Sequence, residues 1–478
     1  MKNFLLIFCL VVSYMLAPEL AFAQSEHFQS TEYRYPDEPL VREKLDRWQD
    51  LKFGMIIHWG IYAIPGIVES WSICSEDWIG RDSTTTYESY KRWYWDLYKL
   101  FNPVRFNPDQ WANAAKDAGM NYLVFTTKHH DGFCMFDTQE TDYSIAKGPF
   151  RFNPRANVAK YVFEAFRKQD FMIGAYFSKP DWHSQYYWWD KYATPDRNVN
   201  YDIRKNAWRW NRFKEFTYNQ IAELMQNFGS VDILWLDGGW VRPIETITDE
   251  VRSWGAPIPE SGQDIDMAGI AAMARSHQPG LLIVDRTVHG PYENYQTPEQ
   301  RIPATQLDFP WESCMTLGNA WGYVKNEHLK TSTRVIQSLI EIVAKGGSLL
   351  LGVGPTPDGL LTDEAVQRLH EIGQWTSRNG KAIYGTRITK HYQDGRTWFT
   401  QSKDGKTLYA LYCIDPATPV TKVEWTGNEP TKGSRIILLH TGKPVSWKKE
   451  GDKTVIQIPK GLPTNLPALA FEVQNFSN

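Results

Sequence analysis

Apolar positions repeat along most of the chain as a short continuous run followed by a longer stretch with apolar residues at three- and four-residue spacing. The runs Phe53–His58, Tyr122–Thr126, Phe171–Phe177, Val231–Leu236, Leu281–Val284 and Ser348–Val353 predict strands buried on both faces. Between them Pro108–Ala118, Val158–Gln169, Arg212–Phe228, Met267–His277 and Thr333–Ala344 predict amphipathic helices. Strand then helix, repeated, means a parallel sheet, which must be covered on both faces or closed on itself. No G-x-G-x-x-G follows a strand, whereas polar or aromatic residues stand at the C-terminal ends of most strands. That combination favours an α/β fold of the (β/α)8-like (TIM-type) barrel kind over a doubly wound sheet, with the barrel over residues 24–385. Beyond about Tyr384 the texture changes to short alternating runs between turns, such as Thr407–Cys413, Arg435–Leu439 and Thr454–Ile458. These predict a C-terminal antiparallel β-sandwich over residues 386–478.

The first residues follow a different pattern. Lys2 is followed by an apolar run, Phe4–Ala17, too short to cross a bilayer comfortably, and Ala21-Phe22-Ala23 forms a small-x-small cleavage site. Residues 1–23 therefore read as a signal peptide, and a secreted or periplasmic destination follows. No later stretch approaches about 18 uninterrupted apolar residues, so membrane insertion after signal removal is not expected. Of five cysteines, Cys9 leaves with the signal. Cys74, Cys134, Cys314 and Cys413 are scattered too widely for a disulfide framework or a zinc site.

Composition narrows the partner. Lys and Arg total 52 against 55 Asp and Glu, so there is no basic excess to neutralise phosphates and a nucleic acid is not expected. Aromatics reach 14% and cluster, as at Tyr186-Tyr187-Trp188-Trp189. Flat apolar faces with a polar rim suit sugars, although large cores also use aromatics.

Barrel chemistry gathers where strands end. Here the ends are His58-Trp59, Lys128-His129-His130-Asp131, Tyr176 with Ser178, Trp235-Leu236-Asp237 and Asp285-Arg286. Asp237 closes an almost wholly apolar strand and precedes Gly238-Gly239, which permit close ligand approach; the bland alternative is a helix cap. A carboxylate there suggests glycoside hydrolysis, which needs a second acid. Glu293, Glu299 and Glu312 are candidates, and spacing does not choose among them. The histidines offer a rival, metal-binding reading, but consecutive His129 and His130 on a strand would point to opposite sides unless the backbone bends. No G-x-S-x-G elbow is present, which argues against a serine hydrolase.

Five strings in this order resemble the α-L-fucosidases of glycoside hydrolase family 29: FGMIIHWGIYAIPG (Phe53–Gly66), TTKHHDGFCMFDT (Thr126–Thr138), LWLDGG (Leu234–Gly239), WESCMTLGNAWGY (Trp311–Tyr323) and GGSLLLGVGPTPDG (Gly346–Gly359). The resemblance implies a barrel followed by a β-sandwich that hydrolyses terminal α-L-fucosides of fucosylated glycans with retention and without a metal or other cofactor. By position it implies Asp237 as nucleophile and Glu299, in Thr297-Pro298-Glu299, as general acid/base, with Glu293 in reserve and Glu312 in a supporting role. It further implies that His58, His129, His130, Tyr176, Trp235, Arg286 and Trp321 line the sugar pocket. Glu69 resembles a sugar-contacting glutamate, although Glu69-Ser70-Trp71 departs from the family's Glu-Trp-Tyr pattern and Glu76 is its rival. The same barrel could instead bind fucose without cleaving it, or act as a metal-dependent hydrolase. Linkage preference and oligomeric state are not encoded in these motifs.

Overall fold

The computed structural model describes residues 30, 32–76, 80–81, 84–259 and 261–477. The expected signal peptide lies outside the described residues. Seven parallel strands form one curled sheet: β1 (Phe53–Ile57), β2 (Tyr122–Lys128), β3 (Met172–Ser178), β4 (Ile233–Asp237), β5 (Leu282–Asp285), β6 (Glu312–Thr316) and β7 (Ser348–Val353). They pair in the order β5-β4-β3-β2-β1-β7-β6. Six of the seven match the runs expected from sequence to within two residues at each end. β6, Glu-Ser-Cys-Met-Thr, was not anticipated because its inward positions are polar or small and it presents no apolar run.

The barrel-type fold expected from sequence is present, with one departure from eight regular strands. β5 and β6 do not pair with each other, and residues 292–300 fill the gap as an irregular stave. The stave runs antiparallel to β5, with Asn294 N donating to Ile283 O at 2.9 Å and Asp285 N to Tyr292 O at 2.9 Å. Toward β6 it runs parallel, with Glu312 N donating to Gln296 O at 2.8 Å and Gln300 N to Cys314 O at 2.9 Å.

Side chains alternate along every strand, as the pleat requires. Leu123, Phe125, Ile173, Ala175, Leu234, Leu236, Leu349 and Leu351 face the outer helices. Tyr122, Val124, Met172, Tyr176, Ile233, Trp235, Leu282, Val284 and Leu350 fill the barrel. Helix α1 (Pro39–Leu51) plugs the floor with Val41, Leu45 and Trp48, whose indole stacks on Tyr295 of the stave at 4.0 Å. Each large apolar side chain so buried contributes roughly 1.5–3 kcal/mol.

After the last barrel helix the chain forms a six-stranded antiparallel sheet and a three-stranded one. Phe399, Leu408, Ala410, Leu469 and Phe471 from the first meet Val423, Trp425 and Ile456 from the second, which makes a sandwich. The opposite face of the larger sheet, including Trp398, Leu411 and Ala470, packs on the barrel's helical shell. Cys74, Cys134, Cys314 and Cys413 are all buried and free. No helix among the described residues is long and apolar enough to cross a membrane.

Glu312 projects into the barrel interior, fully buried, where its oxygens accept from Tyr122 OH at 2.7 Å and Trp235 Nε1 at 3.1 Å. Burial pushes its carboxyl up to about 7. A native pKa above the unfolded value means the folded state binds the extra proton, so this group's stability contribution is complete below about 4.5 and lost as pH rises through about 7. Glu312→Gln keeps the shape without the proton, and Tyr122 OH can turn to accept from its amide. The variant is expected to lose less stability than the parent between pH 4.5 and pH 7, as read from thermal melts across that window.

Candidate active site

The site stands at the C-terminal mouth of the barrel over a cavity of about 740 Å³. Asp237 ends β4. Its Oδ2 accepts from Tyr176 OH at 2.6 Å, and its Oδ1 accepts from Gly238 N at 2.9 Å and from Arg286 NH1 at 2.8 Å. Gly238 has φ +96°, and a Cβ there would lie 2.4 Å from Pro180 Cδ, so both conformation and space require glycine beside the carboxylate.

Arg286 follows β5 and is nearly completely buried. Its NH2 donates to Glu299 Oε2 at 2.9 Å and its Nε to Thr297 Oγ1 at 3.0 Å, so one guanidinium ties β4 to the stave. Burial works against the charge, but Asp237 and Glu299 outweigh it and hold Arg286 protonated well above the usual range. With a hydrogen bond at each end of one rigid fork, the nearer oxygens of Asp237 and Glu299 lie within roughly 8 Å of each other. That span admits the ~5–5.5 Å separation of a retaining carboxylate pair.

His129 and His130 both face the site, their rings 4.3 Å apart. Strand alternation does not apply to them: β2 ends at Lys128, and its register against β3 already shifts between Thr126 and Lys128, so the opposite orientation of a regular strand is not found. His129 Nδ1 pairs with Ser70 Oγ and His130 Nδ1 with Ser178 Oγ, while His130 Nε2 lies 3.8 Å from Asp237 Oδ2. Burial lowers the pKa of all three pocket histidines, His129 to about 4 and His58 and His130 well below the ordinary value. They are neutral near pH 7 and able both to donate and to accept.

Trp321 donates from Nε1 to Glu299 Oε1 at 3.2 Å, and the next residue, Gly322, donates its N–H to Glu69 Oε1 at 2.7 Å. The loop carrying them is held by Glu327, which accepts from Asn319 N at 2.5 Å and Ala320 N at 2.6 Å. Glu69 is buried, which raises its pKa against the Gly322 hydrogen bond.

All ten site residues expected from sequence line this one cavity: Asp237, Glu299, His58, Glu69, His129, His130, Tyr176, Trp235, Arg286 and Trp321. The alternatives fall elsewhere. Glu293 accepts from Thr287 N at 3.0 Å and pairs with His289 at 2.6 Å, away from the cavity lining. Glu312 sits beneath Trp235 inside the barrel. Glu76 forms a double ion pair with Arg197, at 2.7 and 2.8 Å. Arg197 lies over Trp71 at 4.8 Å and over Trp240 at 5.0 Å, and these three line a cavity wall that the sequence reading did not single out. Long-range stacking from three separate loops leaves no local spacing to find it by.

Among the described residues, one group has ligand atoms clustered as a metal would need: His129, His130 and Asp237, within 4.8 Å of one another. Both Asp237 oxygens already accept hydrogen bonds, and the Arg286 cation stands against one of them, so the carboxylate's charge is already matched.

A parallel barrel whose mouth brings two carboxylates to one cavity is the arrangement that glycoside hydrolysis requires. A family model described as Alpha-L-fucosidase matches residues 20–381. The chain is 27% identical over 473 residues to the tissue alpha-L-fucosidase of Homo sapiens, covering 94% of this chain and 93% of that one. Alpha-L-fucosidase isoenzyme 1 from Paenibacillus thiaminolyticus has a similar structure, with a TM-score of 0.73 at 28% identity over 92% of this chain and 100% of that one. The alpha-fucosidase of Thermotoga maritima, solved in complex with a mechanism based inhibitor, gives a TM-score of 0.69 at 26% identity with the same coverage. The chain belongs to the alpha-L-fucosidase family, glycoside hydrolase family 29.

The double role of Arg286 yields a direct expectation. Arg286→Lys keeps a charge but loses the fork, so kcat/KM on an aryl α-L-fucoside should fall about a hundredfold, roughly 2.7 kcal/mol. Steady-state kinetics on a variant that melts near the parent temperature would check it.

Proposed function

We propose that this protein is a retaining exo-α-L-fucosidase that removes terminal α-L-fucose from oligosaccharides or glycoconjugates by double displacement. The observation that supports this most is the shared guanidinium of Arg286, which draws Asp237 and Glu299 to one cavity from chain segments far apart in sequence. Asp237, ionised and fixed by Tyr176, Gly238 and Arg286, attacks the anomeric carbon and forms a glycosyl ester. Glu299 donates its proton to the departing oxygen, then takes one from the water that releases the sugar.

The neutral histidines, which do not require a charged ligand, exchange hydrogen bonds with the sugar hydroxyls. Fucose carries a methyl where most hexoses carry a hydroxymethyl, and the aromatic faces of Trp235 and Trp321 suit that apolar edge. Glu69, its carboxylate oriented by Gly322, serves as a further hydroxyl partner. No step requires a metal or an organic cofactor.

We place the protein outside the cytoplasm, on the basis of the Lys2, Phe4–Ala17 and Ala21-Phe22-Ala23 pattern. The catalytic unit then spans residues 24–385 and the sandwich residues 386–478.

Two measurements test the reading. Asp237→Ala should lower turnover of an aryl α-L-fucoside at least about a thousandfold, roughly 4 kcal/mol of barrier. Near-normal turnover would remove Asp237 from its role. Proton NMR during hydrolysis should find the α anomer of fucose released first, before mutarotation; initial release of the β anomer would replace double displacement by a single inversion.

A further inference from the structure

Glu299 is carried by the least regular part of the barrel. The stave meets β5 and β6 through isolated pairings, Val284 with Glu293, Gln296 with Trp311 and Glu299 with Cys314. Beside Glu299 the backbone bonds are Cys314 N to Pro298 O at 3.3 Å and Gln300 N to Cys314 O at 2.9 Å, and Pro298 has no N–H to continue the ladder. Along it, Tyr295, Thr297 and Glu299 make inward contacts, to Trp48, to Arg286 Nε and to Arg286 NH2. Asn294 and Gln296 make contacts on the other side. A slip of one residue would replace Glu299 in the cavity by Pro298 or Gln300, because successive side chains alternate faces. The ladder is interrupted, so contacts beyond it add to the hold on the register.

Residues 30 and 32–37 run along the outside of the stave and supply that hold. Gln296, almost fully buried, engages this N-terminal strap with both ends of its amide. Its Oε1 accepts from Ser30 N at 2.9 Å and its Nε2 donates to Glu32 O at 3.2 Å. Its own backbone meanwhile pairs with β6, N to Pro310 O at 3.2 Å and O from Glu312 N at 2.8 Å. The strap is itself fixed on either side: Tyr33 OH donates to Asn294 O at 2.7 Å, the Tyr33 ring stacks on Phe309 at 5.0 Å, and Ser30 Oγ donates to Glu250 at 3.1 Å.

We propose that Gln296 is a positioning residue for the acid/base Glu299, locking the N-terminal strap to the irregular stave and so setting the depth at which the Glu299 carboxyl enters the cavity. The inference rests on the acid/base reading of Glu299 and adds to it the device that holds the residue in place. Glycosyl transfer to Asp237 depends on Glu299 only as far as the leaving group needs a proton, so misplacement has a specific signature. A poor leaving group suffers; one that departs unaided does not.

The experiment compares kcat/KM for methyl α-L-fucoside and α-L-fucosyl fluoride in the parent, Gln296→Ala and Glu299→Ala, with thermal melts of each. Gln296→Ala is expected to lose at least about tenfold on the methyl fucoside and less than about threefold on the fluoride. Ser30→Pro deletes the strap N–H that Gln296 accepts, together with the Ser30 hydroxyl bonds to Glu250 and Glu32 N, while changing no residue of the stave or the strands, and it should give the same split even where Gln296→Ala folds poorly. Equal losses on both substrates, or no loss on either, in these two variants would overturn the inference while a split in Glu299→Ala left the acid/base reading standing. A Glu299→Ala protein without the split would instead overturn that reading, and the inference with it.

Discussion

The guanidinium of Arg286 is the contact on which the site's geometry turns. A buried guanidinium without partners carries a large desolvation cost, and its removal from water is tolerated only when its donors meet fixed acceptors. Here each nitrogen has one: Nε has Thr297, NH1 has Asp237 and NH2 has Glu299. The central carbon of the group lies over the ring of Trp235, 4.3 Å from the centroid. The dependence runs both ways. Asp237 supplies the counter-charge that the buried guanidinium needs, and the guanidinium in turn holds a second acid, Glu299, at the same cavity.

Around this charged centre the walls are made of groups kept neutral by burial. Three histidines lie far enough from water that protonation is disfavoured, even with Asp237 nearby to attract a proton. The result is a pocket with one concentrated charge pattern and many uncharged hydrogen-bonding edges. That suits a neutral, hydroxyl-rich ring with one apolar side. It also accounts for serines behind His129 and His130: a hydroxyl bound to Nδ1 holds the ring orientation without adding charge.

The break between β5 and β6 gives the barrel something a regular eighth strand would not. A strand in register presents its side chains at heights set by a full ladder, whereas the stave combines a few backbone bonds to β5 and β6 with side-chain ties: Tyr295 on Trp48, Thr297 and Glu299 on Arg286, and Gln296 on the strap. The terminal segment, α1 and the strap before it, therefore acts on both the floor of the barrel and its catalytic rim. Glu312 beneath the rim shows the same economy, since its buried carboxyl orients Trp235, whose ring supports Arg286.

Local order was legible in the sequence where one residue type had one physical use. Continuous apolar runs meant strands buried on both sides, so β7 was anticipated to the residue and β1 to β5 nearly so. Asp237 stood out because it ends such a run and precedes Gly238-Gly239, although a helix cap would use the same residue type. The helix α1 was hidden in a polar segment, since only Val41, Leu45 and Trp48 of it are buried, and β6 was hidden by its polar inward face. Among Glu293, Glu299 and Glu312, all plausible by spacing, only tertiary contacts separate a carboxyl paired with His289, one at the cavity and one in the barrel core. The Arg197 stack between Trp71 and Trp240, and the hold of Gln296 on the strap, likewise join residues with no sequence relation. Composition and periodicity act through each residue's own solvation and backbone preference, and therefore determine elements. Which acid meets which base is decided by closure of the barrel, because only closure brings distant segments within hydrogen-bonding distance.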